Sequence, residues 1–309
     1  MKIRFKIHYK MQWGQTMCLI VHSKSDSIEK YGMQCNDKSE WKADIQLNNL
    51  TGVSYQYAIQ NADKSLEYEY GSIRSIQFPI ALENTTIIDN WRASYGDSPF
   101  VSTAFTDCFF KRKMLKKSST ATSNNLVLRL NCPQMEPDRH FAVIGNQDAL
   151  GNWDVKKKVR LDESEFPIWS TTLDTSKIKL PLEYKYLIVD TKSDEVLAWG
   201  GGPNRLVEKV DRQALTVVTD EHFIRTIPSW KATGVAIPVF SLRSEEGFGI
   251  GEFNDLKKMV DWAKKTGQRI IQILPINDTI LYHSNYDSYP YNAVSVYALH
   301  PIYLHLESI

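Results

Sequence analysis

Two tryptophans stand beside turn residues rather than inside alternating runs. Trp153 ends the stretch ALGNWD (149–154) and Trp199 opens onto the glycines of VLAWGGGPNR (196–205). An indole held on a turn is a rigid flat surface with little entropy left to lose, so the chemistry on offer is stacking against a flat or apolar-faced ligand. The chain as a whole points the same way: it has eight Trp and fifteen Tyr, more aromatic faces than core packing usually needs. A second aromatic concentration, NYDSYPYNAVSVYALHP (285–301), sets four tyrosines among Asp, Ser and Asn. Cys18, Cys35, Cys108 and Cys132 lie far apart without a CxxC pair, which argues against structural zinc or a redox pair and for free buried thiols in a reducing cytoplasm. His283, His300 and His305 lack a ligand-like spacing with carboxylates and read as structural, so no metal and no cofactor is expected.

The elements that must carry these residues change character along the chain. Up to about residue 225, short alternating or β-branched runs are broken by Gly, Asn, Asp and Pro, as in KIRFKIHYK, TMCLIV, SYQYAI, LVLRLNC, HFAVIG and EYKYLIV. They fall into two aligned sets: CLIV (18–21) with FAVI (141–144), Trp41 with Trp169, and YQYAI (55–59) with YKYLI (184–188). The offset drifts from roughly 123 to roughly 129 residues, which predicts a duplicated immunoglobulin-like β-sandwich of about 100 residues per copy. The expected boundaries are a first sandwich at 1–110, a basic then Ser/Thr/Asn-rich linker at 111–125 and a second sandwich at 126–225. After Pro228, TGVAIPVFSL and RIIQILPI read as parallel strands buried on both faces. They flank a helix in FNDLKKMVDWAKKTG with Phe253, Leu256, Val260 and Ala263 on one stripe and Gly267 as its stop. That β-α-β unit at 228–309 resembles the opening of an eight-fold β/α barrel, which needs about 250 residues, so the chain reads as the front of a longer protein or one that needs a partner.

With 42% hydrophobic and 24% charged residues and a net charge of +1, the composition is that of a soluble protein without a face-wide basic excess, which argues against nucleic-acid and membrane partners. The opening MKIRFKIHYKMQWG alternates like a strand and lacks the apolar run of a secretory signal, and no stretch approaches a membrane span; a cytoplasmic location is expected.

In the second set, ALGNWD, PIWSTTL (167–173), EYKYLI (183–188) and VLAWGGGPNR occur in an order that resembles the starch-binding modules of carbohydrate-binding family 20. The resemblance implies that Trp153 and Trp199 stack on glucose rings while Lys185 and Asn204 bond their hydroxyls. Trp169 is a further glucan-contact candidate that competes with a core role. A pyranose presents axial C–H groups to an aromatic face, which makes the assignment physically sound. In the first set Trp41, Gln56 and Tyr68 fall where Trp169, Lys185 and Trp199 do. There is no Gly-Asn-Trp turn, and GSIR stands in place of GPNR, which implies a degenerate, weaker site.

Residues 228–309, and above all SLRSEEGFGIG and DSYPYNAVSVYALHP, resemble the start of the catalytic barrel of the 4-alpha-glucanotransferases of glycoside hydrolase family 77. Two starch-binding modules ahead of such a barrel is the arrangement of the plant cytosolic disproportionating type. The resemblance implies that Tyr291 stacks on the sugar on the non-reducing side of the cleaved bond, with Asp287 and Ser288 shaping the loop. It also implies a retaining transfer between alpha-1,4-glucans, such as maltooligosaccharides, starch, glycogen or heteroglycan, which needs two carboxyls about 5 Å apart. Asp255, Asp261, Asp278 and Asp287 match neither the nucleophile nor the acid position, so those groups are expected beyond Ile309 and the 309 residues alone are expected to be inactive. Two other readings stay open at this point: a non-catalytic tandem glucan-binding protein, and a β-sandwich interaction protein without sugar affinity.

Overall fold

The structure is a computed structural model. It describes every residue except 23–27, 37–38, 48–51, 79–83, 94–97, 112–121, 123, 228–230 and 309, so most of the expected linker lies outside the described residues. The chain divides into two compact units, Met1–Pro228 and Ser229–Ile309.

In the first unit the strands are β1 (Lys2–His8), β2 (Thr16–His22), β3 (Ile28–Gly32), β4 (Gln34–Cys35), β5 (Glu40–Gln46), β6 (Gly52–Gln60), β7 (Leu66–Tyr68), β8 (Arg74–Gln77) and β9 (Asn84–Asn90). They continue as β10 (Asn125–Asn131), β11 (Arg139–Gly145), β12 (Val159–Arg160), β13 (Asp162–Glu165), β14 (Ile168–Asp174), β15 (Leu182–Asp190), β16 (Val196–Trp199), β17 (Arg205–Val207) and β18 (Leu215–Asp220). The two halves of this unit have similar strand pairing. One sheet runs β3-β2-β6-β7 with β8 also on β6, and another runs β12-β11-β15-β16 with β17 also on β15.

The two halves nevertheless do not stand apart. A single eight-stranded sheet, β13-β14-β10-β18-β9-β1-β5-β4, backs both of them, and β9 and β18 pair in parallel from Leu215 opposite Thr85 to Thr219 opposite Asp89. Side chains alternate across a strand, so the shared strands serve two cores on opposite faces. Ile87, Leu215 and Val217 enter the core of the first half. Ile88, Val218, Leu126, Leu128 and Leu130 enter that of the second. At about 1.5–3 kcal/mol for each fully buried aliphatic side chain, Leu215 and Val217, the two residues that the second half gives to the first core, hold the halves together more firmly than surface ion pairs would.

One alignment needs correction. Cys18 faces Ala58 and Ile20 faces Gln56, while Ala142 faces Leu187 and Ile144 faces Lys185. Cys18 therefore corresponds to Ala142 and not to Phe141. A slip of one residue in a strand exchanges inner and outer faces, and Phe141 points into the core.

In the second unit β19 (Gly234–Ile237), α1 (Asp255–Lys265) and β20 (Ile270–Ile273) form a β-α-β with the strands parallel. Gly234 is required there, because a Cβ would lie 2.4 Å from the Ile270 carbonyl oxygen. Gly267 follows the helix in the left-handed region, and its N–H reaches the Lys264 carbonyl. Two expectations differ. The strands alternate between exposed and half-buried instead of being buried on both faces, since one paired strand and one helix cannot cover both sides of a sheet. Val260 is exposed, and Ala263 carries the buried face of α1 together with the half-buried Leu256. Among the described residues no helix is long and apolar enough to cross a membrane. Cys18 and Cys132 are buried thiols, but Cys35 and Cys108 are exposed.

Candidate functional site

The β11-β15-β16 sheet of the second half has an inner face that builds the core and an outer face paved by Ala142, Ile144, Leu187 and Val189. Trp153 packs on that paving together with Val196. Trp199 lies directly across from Leu187, on the same face, with 40% of its surface exposed. Lys185, two residues before Leu187, shares the face. Asn204 immediately precedes Arg205, the partner of Tyr184, and so arrives beside Lys185. The register therefore brings Trp153, Lys185, Trp199 and Asn204 to one surface.

Local geometry explains how each is delivered. Gly151, Asn152 and Trp153 take consecutive positive φ values of 79°, 50° and 61°. Only glycine adopts that conformation freely, and a Cβ on Gly151 would lie 2.6 Å from the Lys157 carbonyl oxygen. Asn152 offsets part of the cost through its side-chain bond to Asp148. Such strain at non-glycine residues, of order 1–3 kcal/mol each, tends to cluster where a side chain must be presented. The loop after Trp199 is tied down by Gly200 N–H to the Tyr186 carbonyl at 2.9 Å and by the Thr226 hydroxyl to the Trp199 carbonyl at 2.7 Å. The Lys185 ammonium donates to the Gly202 carbonyl at 2.8 Å, and the Asn204 amide reaches Glu183 at 3.4 Å, so both polar groups are oriented over the platform.

The first half repeats the layout with other residues. Cys18, Ile20 and Ala58 pave its outer face, and Tyr68 stands across from Ala58 with 50% of its surface exposed. Gln56 occupies the position of Lys185 and donates to the Glu69 carbonyl at 3.4 Å. The turn that would correspond to the one carrying Trp153 lies in 23–27, outside the described residues.

Two candidate contacts are excluded by burial. Trp169 is 0% exposed and Trp41 8% exposed, each inside its sandwich core. Their indole N–H groups donate to the carbonyls of Cys132 at 2.9 Å and Tyr9 at 3.0 Å, so these rings are core residues with satisfied polar tips and offer no face to a ligand.

Sequence reasoning missed what lies under both surfaces. Asp220 accepts from the hydroxyls of Tyr184 (2.8 Å) and Tyr186 (3.0 Å) and pairs with Arg205 at 3.0 Å. Burial pushes its carboxyl above the ordinary aspartate value, while Arg205 and the hydroxyls restrain it. Asp89 accepts from Tyr55 (2.7 Å) and Tyr57 (3.0 Å) in the same way and lies 3.2 Å from Arg74. Burial and the adjacent aspartates push all four phenols well above their usual range. The paired YxY strands were the visible signal. Their acid partners, far along the chain, were not.

In the second unit Asp287 is a loop anchor. Both its oxygens accept from the Tyr282 N–H at 3.1 Å, and one also from Ser284 N–H at 3.1 Å. Burial would raise its carboxyl, but these backbone donors hold it below the usual carboxylate range. Ser288 closes the turn by donating to the Asn285 carbonyl at 2.7 Å. Tyr291 is 58% exposed, and its ring centroid lies 5.5 Å from that of Tyr289.

Two stretches of the chain are similar to known proteins. The starch binding domain family model matches residues 125–219, and the 4-alpha-glucanotransferase family model matches residues 237–309. The 4-alpha-glucanotransferase DPE2 of Oryza sativa subsp. japonica is 29% identical over 99% of this chain and 34% of its own length. The 4-alpha-glucanotransferase of Chlamydia caviae is 48% identical over 26% of this chain and 16% of its own. Among solved structures, the family 20 carbohydrate-binding module of a maltotetraose-forming amylase from Pseudomonas saccharophila is 28% identical, covering 31% of this chain and 99% of that one with a TM-score of 0.25. The chain spans about a third of the length of the rice relative. Residues 125–219 are thus similar to starch binding domains and residues 237–309 to part of the 4-alpha-glucanotransferases.

Proposed function

We propose that these 309 residues are the glucan-binding front of a 4-alpha-glucanotransferase that moves glucan or glucosyl units between alpha-1,4-glucans with retention of configuration. The observation that carries the binding half is the convergence of Trp153, Lys185, Trp199 and Asn204 on one sheet face, in a segment matched to starch binding domains. Two indoles give stacking faces, and the ammonium and amide, already oriented by Gly202 and Glu183, supply bonds to ring hydroxyls. The transfer half rests on the match at 237–309 and on the exposed Tyr291 beside a loop pinned by Asp287.

Retention requires a nucleophilic carboxylate and an acid on opposite sides of the glycosidic bond, about 5 Å apart. Asp287 spends both oxygens on backbone amides, and Asp255 accepts from the Glu252 N–H at 2.9 Å; neither has the freedom of a nucleophile. The reacting carboxylates are therefore assigned to sequence outside these residues. Tryptophan emission during titration with maltoheptaose or β-cyclodextrin tests the binding reading, with a saturable change expected in the protein and none in Trp153→Ala/Trp199→Ala. An unchanged wild-type spectrum would sink it. Maltotriose incubated with the 309-residue chain is expected to stay unconverted, and longer glucans or free glucose would overturn the assignment of the carboxylates.

A further inference from the structure

Where the two halves of the first unit meet, a cleft of about 410 Å³ is lined from both sides, by residues including Arg74 and Arg92 of the first half and Asn131, Gln134 and Arg225 of the second. Its volume is within the range of small-molecule sites, roughly 300–1,000 Å³. The charges around it are unequally committed. Arg74 is consumed by Glu69, Asp89 and Glu221, the last of these in the other half, and Arg92 gives one nitrogen to Glu69 and the Ser72 carbonyl. Arg225 makes a single bond, to the Gln134 carbonyl, and among the described residues it pairs with no carboxylate. Its Nε and Nη1, the Nε2 of Gln134 and the Nε of Arg92 are shielded from solvent and, among the described residues, without partners. Gln134 is only 3% exposed. Against these four donor nitrogens stand, among the described residues that line the cleft, one unpartnered acceptor, Asn131 Oδ1, and one hydroxyl, Thr219 Oγ1, that can act either way.

Buried donors are ordinarily matched, and the carboxylates that also line the cleft are turned elsewhere, Glu221 to Arg74 and to Asn131, Glu165 toward Arg129, which leaves these donors in surplus. We infer that the cleft between the halves binds a small organic anion, with phosphate or carboxylate oxygens against Arg225 and Gln134 and a body of about monosaccharide size against Tyr70 and Phe100, which line the same cleft. An unneutralised guanidinium favours an ionised ligand over a neutral sugar, because charge-assisted hydrogen bonds are roughly twice as strong as neutral ones. This site is separate from the outer-face platform of Trp153 and Trp199 and does not depend on that platform binding glucan.

Calorimetric titration of the 309-residue chain with inorganic phosphate, glucose 6-phosphate, citrate and glucose tests the inference. Saturable binding of at least one anion is expected, with none by glucose at the same concentration. Arg225→Met and Gln134→Leu should each weaken it at least 10-fold while the maltoheptaose fluorescence response stays unchanged. Arg225→Lys, which keeps the charge and alters least, should retain part of the affinity. Inorganic phosphate binding as tightly as the sugar phosphate would place the recognition on the oxyanion alone; tighter citrate would place it on carboxylates. Failure of all three anions to bind the folded wild-type protein overturns the inference, as does anion affinity that is unchanged in the variants.

Discussion

The two halves of residues 1–228 are alike in their interiors and differ on their surfaces. Inside, Tyr55 and Tyr57 donate to Asp89 as Tyr184 and Tyr186 donate to Asp220, with Arg74 and Arg205 each beside the aspartate and over a tyrosine ring, at 5.3 Å in the first half and 4.9 Å in the second. Trp41 and Trp169 likewise cap equivalent strands from within. Outside, Trp199 and Lys185 are answered by Tyr68 and Gln56, and Asn204 by Ile73. A buried polar network is costly to lose one member at a time, since each loss strands the others, whereas a platform residue on the surface can change without disturbing the fold. The arginines have also diverged: Arg205 serves Asp220 and the His222 carbonyl, while Arg74 has become the link to Glu221 across the shared sheet.

The comparison is most easily broken at the aspartates. Asp220→Ala removes the shared acceptor of two buried hydroxyls and the carboxylate partner of Arg205, and is expected to cost about 3–5 kcal/mol in urea denaturation. Asp89→Ala should cost less, because Arg74 keeps Glu69 and Glu221; the reverse order would refute the equivalence. Next in size, Trp199→Ala should weaken maltoheptaose binding by about 2 kcal/mol, close to 30-fold, in a fluorescence titration. Trp169→Phe, which removes the indole bond to the Cys132 carbonyl, should lower stability by about 1 kcal/mol with glucan affinity intact. A loss of affinity there would reopen the role rejected on grounds of burial.

Acid titration gives a finer contrast. The Glu69 carboxyl, desolvated yet held by Arg74 and Arg92, lies below its ordinary value, so its contribution is present above about pH 4.3 and is lost as pH falls through the lowered value. Asp220 lies above its ordinary value, so its contribution is present below about pH 3.9 and is lost as pH rises through the raised value. Stability measured from pH 3 to pH 6 should therefore rise less steeply in Glu69→Gln and more steeply in Asp220→Asn. The smallest effect belongs to Tyr68→Ala, expected to change glucan affinity by less than about 0.5 kcal/mol; a loss matching that of Trp199→Ala would show that the first surface is not degenerate.

How much of this was legible follows from where the information sits. Trp153, Lys185, Trp199 and Asn204 converge because turn residues and strand register are local properties, readable in GNW, YKY and WGGGPNR. Trp41 and Trp169 could not be told from platform residues, since both begin alternating strands and only the completed sandwich buries them. The one-residue slip between CLIV and FAVI arose because both runs are apolar on both faces, which removes the alternation that sets register. The shared sheet joins β9 to β18 across some 130 residues of chain by parallel pairing, which leaves no short-range mark. The trace that did exist was two-sided burial: Ile87 with Ile88, and LTVVT in β18.

That shared sheet also sets a sidedness. Because the two cores lie on its opposite faces, the outer surfaces carrying Tyr68 and Trp199 look away from each other. A short ligand seated on one surface cannot reach the other, so a molecule that spans both must be long enough to pass round the whole thickness of the two sandwiches.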